Sequence, residues 1–197
     1  MQFSLLRLLL VLVFLGVIPV ACCPEETRDY IRPREIMLAL AEAANGTVLA
    51  SGARTSAPEL VASVRMVLDL VAARSGGSPF SGAAYALSCP EGGELGLKEA
   101  IASVEVTSTG LFNGIAAGQS LQRFVQCSDE YSTRKFPLAQ LADSLNKKES
   151  YPMWAYRTIR LHISPKPADN SAQQFEVRLQ LANGQELTQL TPAIIWD

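Results

Sequence analysis

The strongest constraint on the fold is a two-residue alternation of apolar and polar side chains near the C-terminal end of the sequence. From Phe175 to Leu181 every second residue is apolar, and Asn183-Gly184 follows. Such alternation is typical of a β-strand with one buried face, and Asn-Gly is a common turn between antiparallel strands. We therefore predict a type I′ hairpin whose return strand includes Leu187 and Leu190.

Other segments carry similar signals. Apolar residues also alternate over 157–163 and 101–107, which predicts two more strands, and proline at position 165 ends the first of them. A first hairpin is predicted around Asn45-Gly46. One short helix is predicted behind Pro137, because four apolar residues recur there at helical spacing: Leu138, Leu141, Ala142 and Leu145.

The segment 57–74 fits two structures. Ser56 and Glu59 match a helix capping box, and the apolar residues that follow fall on one helical face. The same stretch is rich in β-branched residues and also reads as a strand. Periodicity slightly favours the helix, so both alternatives stay open at this point.

The N-terminal residues 1–21 have the composition of a cleaved signal peptide. Arg7 precedes an apolar run from Leu8 to Val20, which is too short to cross a bilayer comfortably, since a spanning helix needs about 20 apolar residues. The run ends at the small residue Ala21, followed by two cysteines. We predict export and removal of this segment.

The sequence Val20-Ala21-Cys22 resembles the lipobox of bacterial lipoproteins, in which the cysteine accepts a diacylglyceryl group. Cys22 is the predicted lipidation site. Cys23 is the alternative, because Pro19 stands where lipoproteins usually carry leucine. Acyl chains such as palmitate would tether the chain to a membrane without spanning it. An ordinary soluble signal peptide is the remaining alternative.

This reading divides the chain into residues 1–21 as signal peptide, 22–32 as an acidic tether and 33–197 as one domain. The predicted location is the cell envelope, with a lipid anchor in the outer membrane and the domain facing either the periplasm or the cell surface. The formal net charge of −2 and the lack of a large basic cluster argue against nucleic acid as a partner. A membrane, a glycan or another envelope protein is the expected partner.

Four cysteines in an exported chain permit disulfide bonds. We predict a bond between Cys89 and Cys127, with Cys23 and Cys89 as the competing pair. A single histidine and the absence of a CxxC motif argue against a zinc site, so no metal and no cofactor are predicted.

His162, the only histidine, falls on the polar face of its predicted strand. A Ser-His-Asp site would have to use it, but the G-x-S-x-G motif is absent, so we interpret it as an exposed strand residue. Adjacent or closely spaced carboxylates are the other route to catalysis, and the sequence contains three such pairs: Glu25 with Glu26, Glu91 with Glu94, and Asp129 with Glu130. Asp169-Asn170-Ser171 lacks the spacing of a calcium loop and is interpreted as a turn.

Three aromatic residues form a possible ligand-stacking cluster: Tyr151, Trp154 and Tyr156. Aromatic faces can stack on sugar rings, although they also anchor hydrophobic cores. The cluster is therefore the predicted site of the glycan-binding alternative.

Four stretches together resemble a family of uncharacterised Bacteroidota lipoproteins, a domain of unknown function: Ala83 to Cys89, Ile101 to Thr109, Ala117 to Leu121, and Phe175 to Thr191. The resemblance covers most of the mature chain. It implies a domain of mostly strands, which favours the strand over the helix for 57–74. It implies no catalytic residues.

We predict an all-β fold, an immunoglobulin-like antiparallel β-sandwich with one short helix; the alternative is α+β if 57–74 is helical. The predicted function is that of a membrane-anchored binding or scaffolding lipoprotein without enzymatic activity. A glycan-binding accessory lipoprotein and an envelope hydrolase with paired carboxylates are the two alternatives.

Overall fold

A computed structural model describes residues 29–72, 93, 95–129, 134–147 and 158–197. Within these ranges the fold is all-β and sandwich-like, with mainly antiparallel sheets and one short α-helix, as the sequence predicts.

Eleven strands are described: β1 (Asp29–Glu42), β2 (Arg54–Thr55), β3 (Leu60–Ala72), β4 (Ile101–Ser108), β5 (Val125–Asp129), β6 (Phe136–Pro137), β7 (Thr158–Ile163), β8 (Ala172–Gln173), β9 (Phe175–Leu181), β10 (Glu186–Leu190) and β11 (Ile194–Trp196). The helix α1 spans Leu141–Asn146, and 3-10 turns lie at Gln122–Phe124 and Leu138–Gln140. The strands form three sheets, in the orders β1-β3-β7-β5-β6, β10-β9-β4 and β2-β11-β8.

The contested segment 57–74 contains the long strand β3, so the helical and α+β alternatives are wrong. β3 pairs antiparallel with β1 on one side, from Asp29↔Ala72 to Glu42↔Leu60, and with β7 on the other. Every second residue of its first half is buried, including Val64 and Met66. Pairing with strands on both sides of β3 therefore outweighs the slight preference for a helix that the periodicity indicates.

The folded domain starts earlier than predicted. β1 begins at Asp29, so the last four residues of the predicted tether 22–32 belong to the sheet. Ile31 is completely buried, and the Arg32 guanidinium donates two hydrogen bonds to the Glu99 carboxylate, both at 3.2 Å. The acidic composition of residues 24–29 hid this strand start, because the first buried apolar residue comes only at position 31.

β1 lies at one edge of the five-stranded sheet, and neighbouring segments cover both of its ends. The Ile31 amide donates to the Gly96 carbonyl at 2.9 Å, and the Leu49 amide donates to the Leu40 carbonyl at 2.8 Å. Between these contacts the pairing register with β3 shifts between Pro33 and Glu35. The outer edge of β1 is therefore covered at its two ends and irregular between Pro33 and Glu35.

The predicted hairpin between β9 and β10 is confirmed, but its turn type is not. Gly184 has a φ of 87°, but the φ of Asn183 is not positive, because Asn113 is the only non-glycine residue with positive φ in the described ranges. The Gly184 amide donates to the Leu181 carbonyl, and the Leu181 amide donates to the Gln185 carbonyl. A type I′ turn needs positive φ at both central residues, so this is a type I turn closed by a glycine bulge. The predicted first turn is one residue longer: Gly46 has a φ of 71°, and its amide donates to the Glu42 carbonyl at 3.0 Å.

The helix α1 and its preceding turn cover one side of the core, as predicted. Leu138, Leu141 and Leu145 are all buried. The Asn146 side chain accepts from the Ile101 amide at 2.9 Å and donates to the Ile101 carbonyl at 2.8 Å. These two bonds fix the end of α1 to the start of β4.

An aromatic cluster lies at the centre of the core. The Phe112 ring packs against Phe124, Phe175 and Trp196, with ring centroids 5.4, 5.9 and 6.2 Å apart. The Trp196 indole donates to the Ala57 carbonyl at 2.6 Å, which satisfies its polar atom inside the core. The three sheets therefore share one hydrophobic interior.

Candidate functional site

Strand pairing brings several polar side chains together on the outer face of the five-stranded sheet. β7 lies between β3 and β5, and its buried residues Ile159, Leu161 and Ile163 face the core. His162 alternates with them, so it faces outward. Ser128 in β5 and Glu59, which immediately precedes β3, reach His162 from either side.

The contacts among these side chains are short and ordered. The Glu59 Oε1 atom lies 2.7 Å from His162 Nδ1, and Ser128 Oγ lies 3.0 Å from His162 Nε2. The Lys135 Nζ atom donates to the same Glu59 oxygen at 2.7 Å. We call Glu59, Ser128, Lys135 and His162 the outer-face relay.

The relay sets the tautomer of the histidine. An ionised carboxylate can only accept hydrogen bonds, so His162 Nδ1 must carry the proton that it shares with Glu59. In the neutral imidazole, Nε2 is then left as an acceptor for the Ser128 hydroxyl. Serine, histidine and carboxylate therefore stand in the order in which a nucleophile, a base and an orienting acid are arranged in acyl-transfer enzymes.

Glu59 is the electrostatic centre of the relay. Burial alone would raise the pKa of this carboxyl, but hydrogen bonds from Lys135 and His162 outweigh the effect, and its pKa lies below the ordinary value. Glu59 is therefore ionised at neutral pH. Lys135 balances its charge, so the relay carries no net charge when His162 is neutral.

Ser128 and His162 are largely sheltered from solvent, which corrects the prediction of an exposed strand histidine, whereas the Glu59 and Lys135 side chains are 26% and 35% exposed. Ser128 is 3% exposed, and the His162 side chain is 13% exposed. Glu59 lies at the β3 position of the sheet and Lys135 precedes β6, so their ion pair crosses the outer face of β7 and β5. The Glu59–Lys135 ion pair therefore covers Ser128, which explains why this serine is buried although it lies on the outer face of the sheet.

A separate groove of about 440 Å³ lies between the end of β5 and the helix α1. Its lining combines two acidic, two basic, two neutral polar and one aromatic side chain: Asp129, Asp143, Arg134, Lys147, Gln140, Ser144 and Phe136. Ser128 and Asp129 are consecutive in β5, so their side chains point to opposite faces of the sheet. The groove and the outer-face relay are therefore distinct.

Cys127 is the predicted disulfide cysteine that the structure describes. It is completely buried and carries a free thiol, and burial raises its pKa to about 12. Its predicted partner Cys89 and the other cysteines lie outside the described residues. Both predicted pairings, Cys89 with Cys127 and Cys23 with Cys89, therefore remain predictions, as does lipidation of Cys22 or Cys23.

Most of the other predicted site residues also lie outside the described ranges. These are Tyr151, Trp154 and Tyr156 of the aromatic cluster, and Glu25, Glu26, Glu91, Glu94 and Glu130 of the carboxylate pairs. Asp129 is the one paired carboxylate that the structure places, and it lines the groove.

Asp169 has a structural role, because its carboxylate holds the turn at residues 113–114. Its carboxylate accepts hydrogen bonds from the Gly114 amide at 2.6 Å and from the Asn113 amide at 3.0 Å. The bond from Gly114 is the main cause that holds the pKa of Asp169 below its ordinary value. These bonds hold the 113–114 turn, where Asn113 has a φ of 46°.

Sequence reasoning identified His162 but missed its three partners. Glu59, Ser128 and Lys135 are far apart in the sequence and share no motif. The one available signal was the position of a lone histidine on the polar face of a strand. Its neighbours are set by the pairing of β3, β7 and β5, which are not consecutive along the chain.

No known protein family, curated protein or solved structure matches this chain. The resemblance to Bacteroidota lipoproteins therefore remains a prediction. Among the described residues, no helix is long and apolar enough to cross a membrane. The same residues contain no cluster of three or more side chains suited to hold a metal ion.

Proposed function

We propose that this chain is a lipid-anchored protein of the bacterial cell envelope, and that its β-sandwich domain binds or scaffolds another molecule. The observation that supports this best is the position of the first strand. β1 begins at Asp29, so only residues 24–28 separate it from the Cys22-Cys23 pair. An extended chain spans at most about 3.6 Å per residue, so Asp29 would lie within about 25 Å of an acylated Cys22.

The direction of β1 orients the domain relative to such an anchor. β1 leads away from the tether, and its far end at Glu42 pairs with Leu60. Leu60 in turn pairs with Ile163, beside His162. The outer-face relay would therefore lie at the end of the sheet that points away from the membrane.

The groove supports a binding role. Its volume of about 440 Å³ is within the range of about 300–1,000 Å³ typical of small-ligand sites. Asp129, Asp143, Arg134 and Lys147 all line it, so its formal charges balance. Such a lining suits a neutral or zwitterionic polar ligand better than a strongly charged one.

Labelling with radioactive palmitate tests the anchor. We expect the wild type to be labelled and to sediment with membranes, Cys22→Ser to lose both properties, and Cys23→Ser to keep them. Cys89→Ser is the matched control and should behave as wild type. An unlabelled wild type, or membrane association that survives the double substitution of Cys22 and Cys23, would overturn the proposal.

Glycan binding is the second candidate function. The observation in its favour is that Phe136 lies in the groove among side chains that donate and accept hydrogen bonds. A polyhydroxylated ring needs that combination of an apolar face and polar partners.

A glycan array tests this candidate. The affinity of the wild type should fall about five- to tenfold in Gln140→Ala and in Asp143→Ala, because one lost hydrogen bond to a bound ligand is worth about 1–1.5 kcal/mol. Glu186→Ala on β10, far from the groove, is the control. Trp154→Ala tests the predicted aromatic cluster in the same assay. Absence of any glycan bound by the wild type would exclude the candidate, whereas hydrolysis of a bound glycan would favour the paired-carboxylate hydrolase.

A further inference from the structure

We propose that the outer-face relay is an acyl-transfer centre in which Ser128 is the nucleophile and His162 is the general base. Glu59 and Lys135 are positioning residues. This activity goes beyond the proposed binding role and uses the opposite face of β5 from the groove.

The first argument is geometric. The two contacts of His162, 2.7 Å to Glu59 and 3.0 Å to Ser128, use its two different ring nitrogens. The neutral imidazole has one donor and one acceptor nitrogen, and here a carboxylate accepts from the first and a hydroxyl donates to the second. Both distances lie within the range required for proton transfer between a nucleophile, a base and its orienting group.

The second argument is electrostatic. When Ser128 gives up its proton, His162 becomes positively charged next to the Glu59 carboxylate. That carboxylate is already ionised, because the hydrogen bonds from Lys135 and His162 hold it in the charged form. The positive charge that develops on His162 therefore lies 2.7 Å from a carboxylate oxygen that Lys135 also contacts, so the relay passes from no net charge to one positive charge.

The chemical step balances without a further cofactor. Ser128 Oγ bonds to the carbonyl carbon of an ester while its proton passes to His162 Nε2. The bond from that carbon to the leaving oxygen then breaks, and the leaving oxygen takes the proton from Nε2. Water repeats the sequence on the acyl-serine, which releases a carboxylic acid and restores Ser128.

The neighbouring residues indicate a small acyl group as substrate. In the pairing register Ala41 and Val61 lie in the same row as His162, and Ala39 and Ser63 lie in the row of Ser128. These short side chains lie on the β1 and β3 side of the relay, whereas Arg160 and Gln126 stand directly beside Ser128 and His162, and Ser128 itself is only 3% exposed. A compact electrophile can reach the hydroxyl more easily than a bulky one.

Arg160 is the candidate for stabilising the developing negative charge on the substrate oxygen. It pairs with Ser128 in the ladder and is exposed on the same face. Arg65 is the matched comparison, because it is also exposed on that face but pairs with Thr158 in the next row.

The test uses the mature chain and diisopropyl fluorophosphate, a small reagent that phosphorylates activated serines with loss of fluoride. We expect stoichiometric labelling that peptide mass spectrometry places on Ser128. The rate should fall at least about 100-fold in His162→Gln, since general-base catalysis contributes about 10²–10⁴-fold. Ser103→Ala, exposed on β4 in a different sheet, should label at the wild-type rate.

Variants of the positioning residues separate catalysis from structure. Lys135→Met should slow labelling about tenfold, and Lys135→Arg should restore it because the ion pair with Glu59 is kept. Arg160→Gln should slow hydrolysis of p-nitrophenyl acetate more than Arg65→Gln does. Circular dichroism and thermal unfolding establish that each variant is folded.

The proposal is overturned if the wild type stays unlabelled under conditions that fully label a serine hydrolase. It is also overturned if Ser128→Ala labels as fast as the wild type. The first result concerns the wild type and the second concerns Ser128 alone. Each of them therefore tests the proposal even if His162→Gln fails to fold. Palmitate labelling is unaffected by any of these variants, so failure here is distinct from failure of the proposed anchor.

Discussion

At the scale of single residues, Glu59 has the most consequential environment in the described chain. Its carboxylate accepts from both Lys135 and His162 through one oxygen atom. Since these contacts lower its pKa below the ordinary value of 4.5, the charged form stabilises the folded state.

We therefore predict that Glu59→Gln lowers the free energy of unfolding at neutral pH by an amount that depends on pH. A depressed pKa contributes stability that is fully present above the unfolded-state value near 4.5 and is lost as pH falls through the lower folded-state value. Urea unfolding of both proteins between about pH 7 and pH 3 should show the two curves converging below about pH 4.5. Glu35→Gln, exposed on β1, is the control. A difference that stayed constant over this range would contradict the assigned contacts.

Cys127 gives a second prediction at this scale. A buried thiol with a pKa of about 12 is protonated at neutral pH and does not react with alkylating reagents. Iodoacetamide should leave the Cys127 peptide unmodified in the native protein and modify it once urea unfolds the chain. If alkylation in urea also requires a reducing agent, Cys127 is in a disulfide bond, and the predicted pairing with Cys89 becomes the first to examine by peptide mapping.

At the scale of elements, the turn after β9 depends on one glycine. Gly184 has a φ of 87°, and a Cβ atom added there would meet nothing within 4 Å, so the cost of a side chain is in the backbone alone. We expect Gly184→Ala to reduce the free energy of unfolding by about 1 kcal/mol. Gly184→Asn should cost less, because asparagine tolerates this conformation better. Equal losses for both variants in urea titrations would argue against the bulged turn.

The elements that could be predicted are those whose signal is local. β9 is predictable because Val177 and Leu179 alternate with polar residues, and α1 because Leu141 and Leu145 recur one turn apart. β2, β8 and β11 have only two or three residues each, so no periodicity can reveal them. Likewise the outer-face relay depends on which strands become neighbours, and no local pattern around Glu59 or Ser128 contains that information.

At the scale of the whole molecule, the boundary between tether and domain can be tested by shortening the chain. A mature chain that begins at Asp29 retains all of β1, whereas one that begins at Pro33 loses the fully buried Ile31 and the Arg32–Glu99 ion pair. Burial of an isoleucine side chain is worth about 1.5–3 kcal/mol. We expect the shorter chain to lose at least about 2 kcal/mol in urea unfolding, and a chain that begins at Pro24 to match the one from Asp29. Equal stability of all three chains would mean that residues 29–32 belong to the tether, as the sequence predicts.

The interrupted edge of β1 matters for the proposed membrane anchor, which would concentrate the chain on a surface. A long bare strand edge can join the same edge of another copy, and anchoring in a bilayer raises the chance of such encounters. Here the Pro33–Glu35 register shift breaks the regular spacing of main-chain donors and acceptors, and exposed Arg34 and Glu35 place charge at that point. If the proposed anchor holds, the domain could therefore crowd on a membrane without joining its neighbours into continuous ribbons.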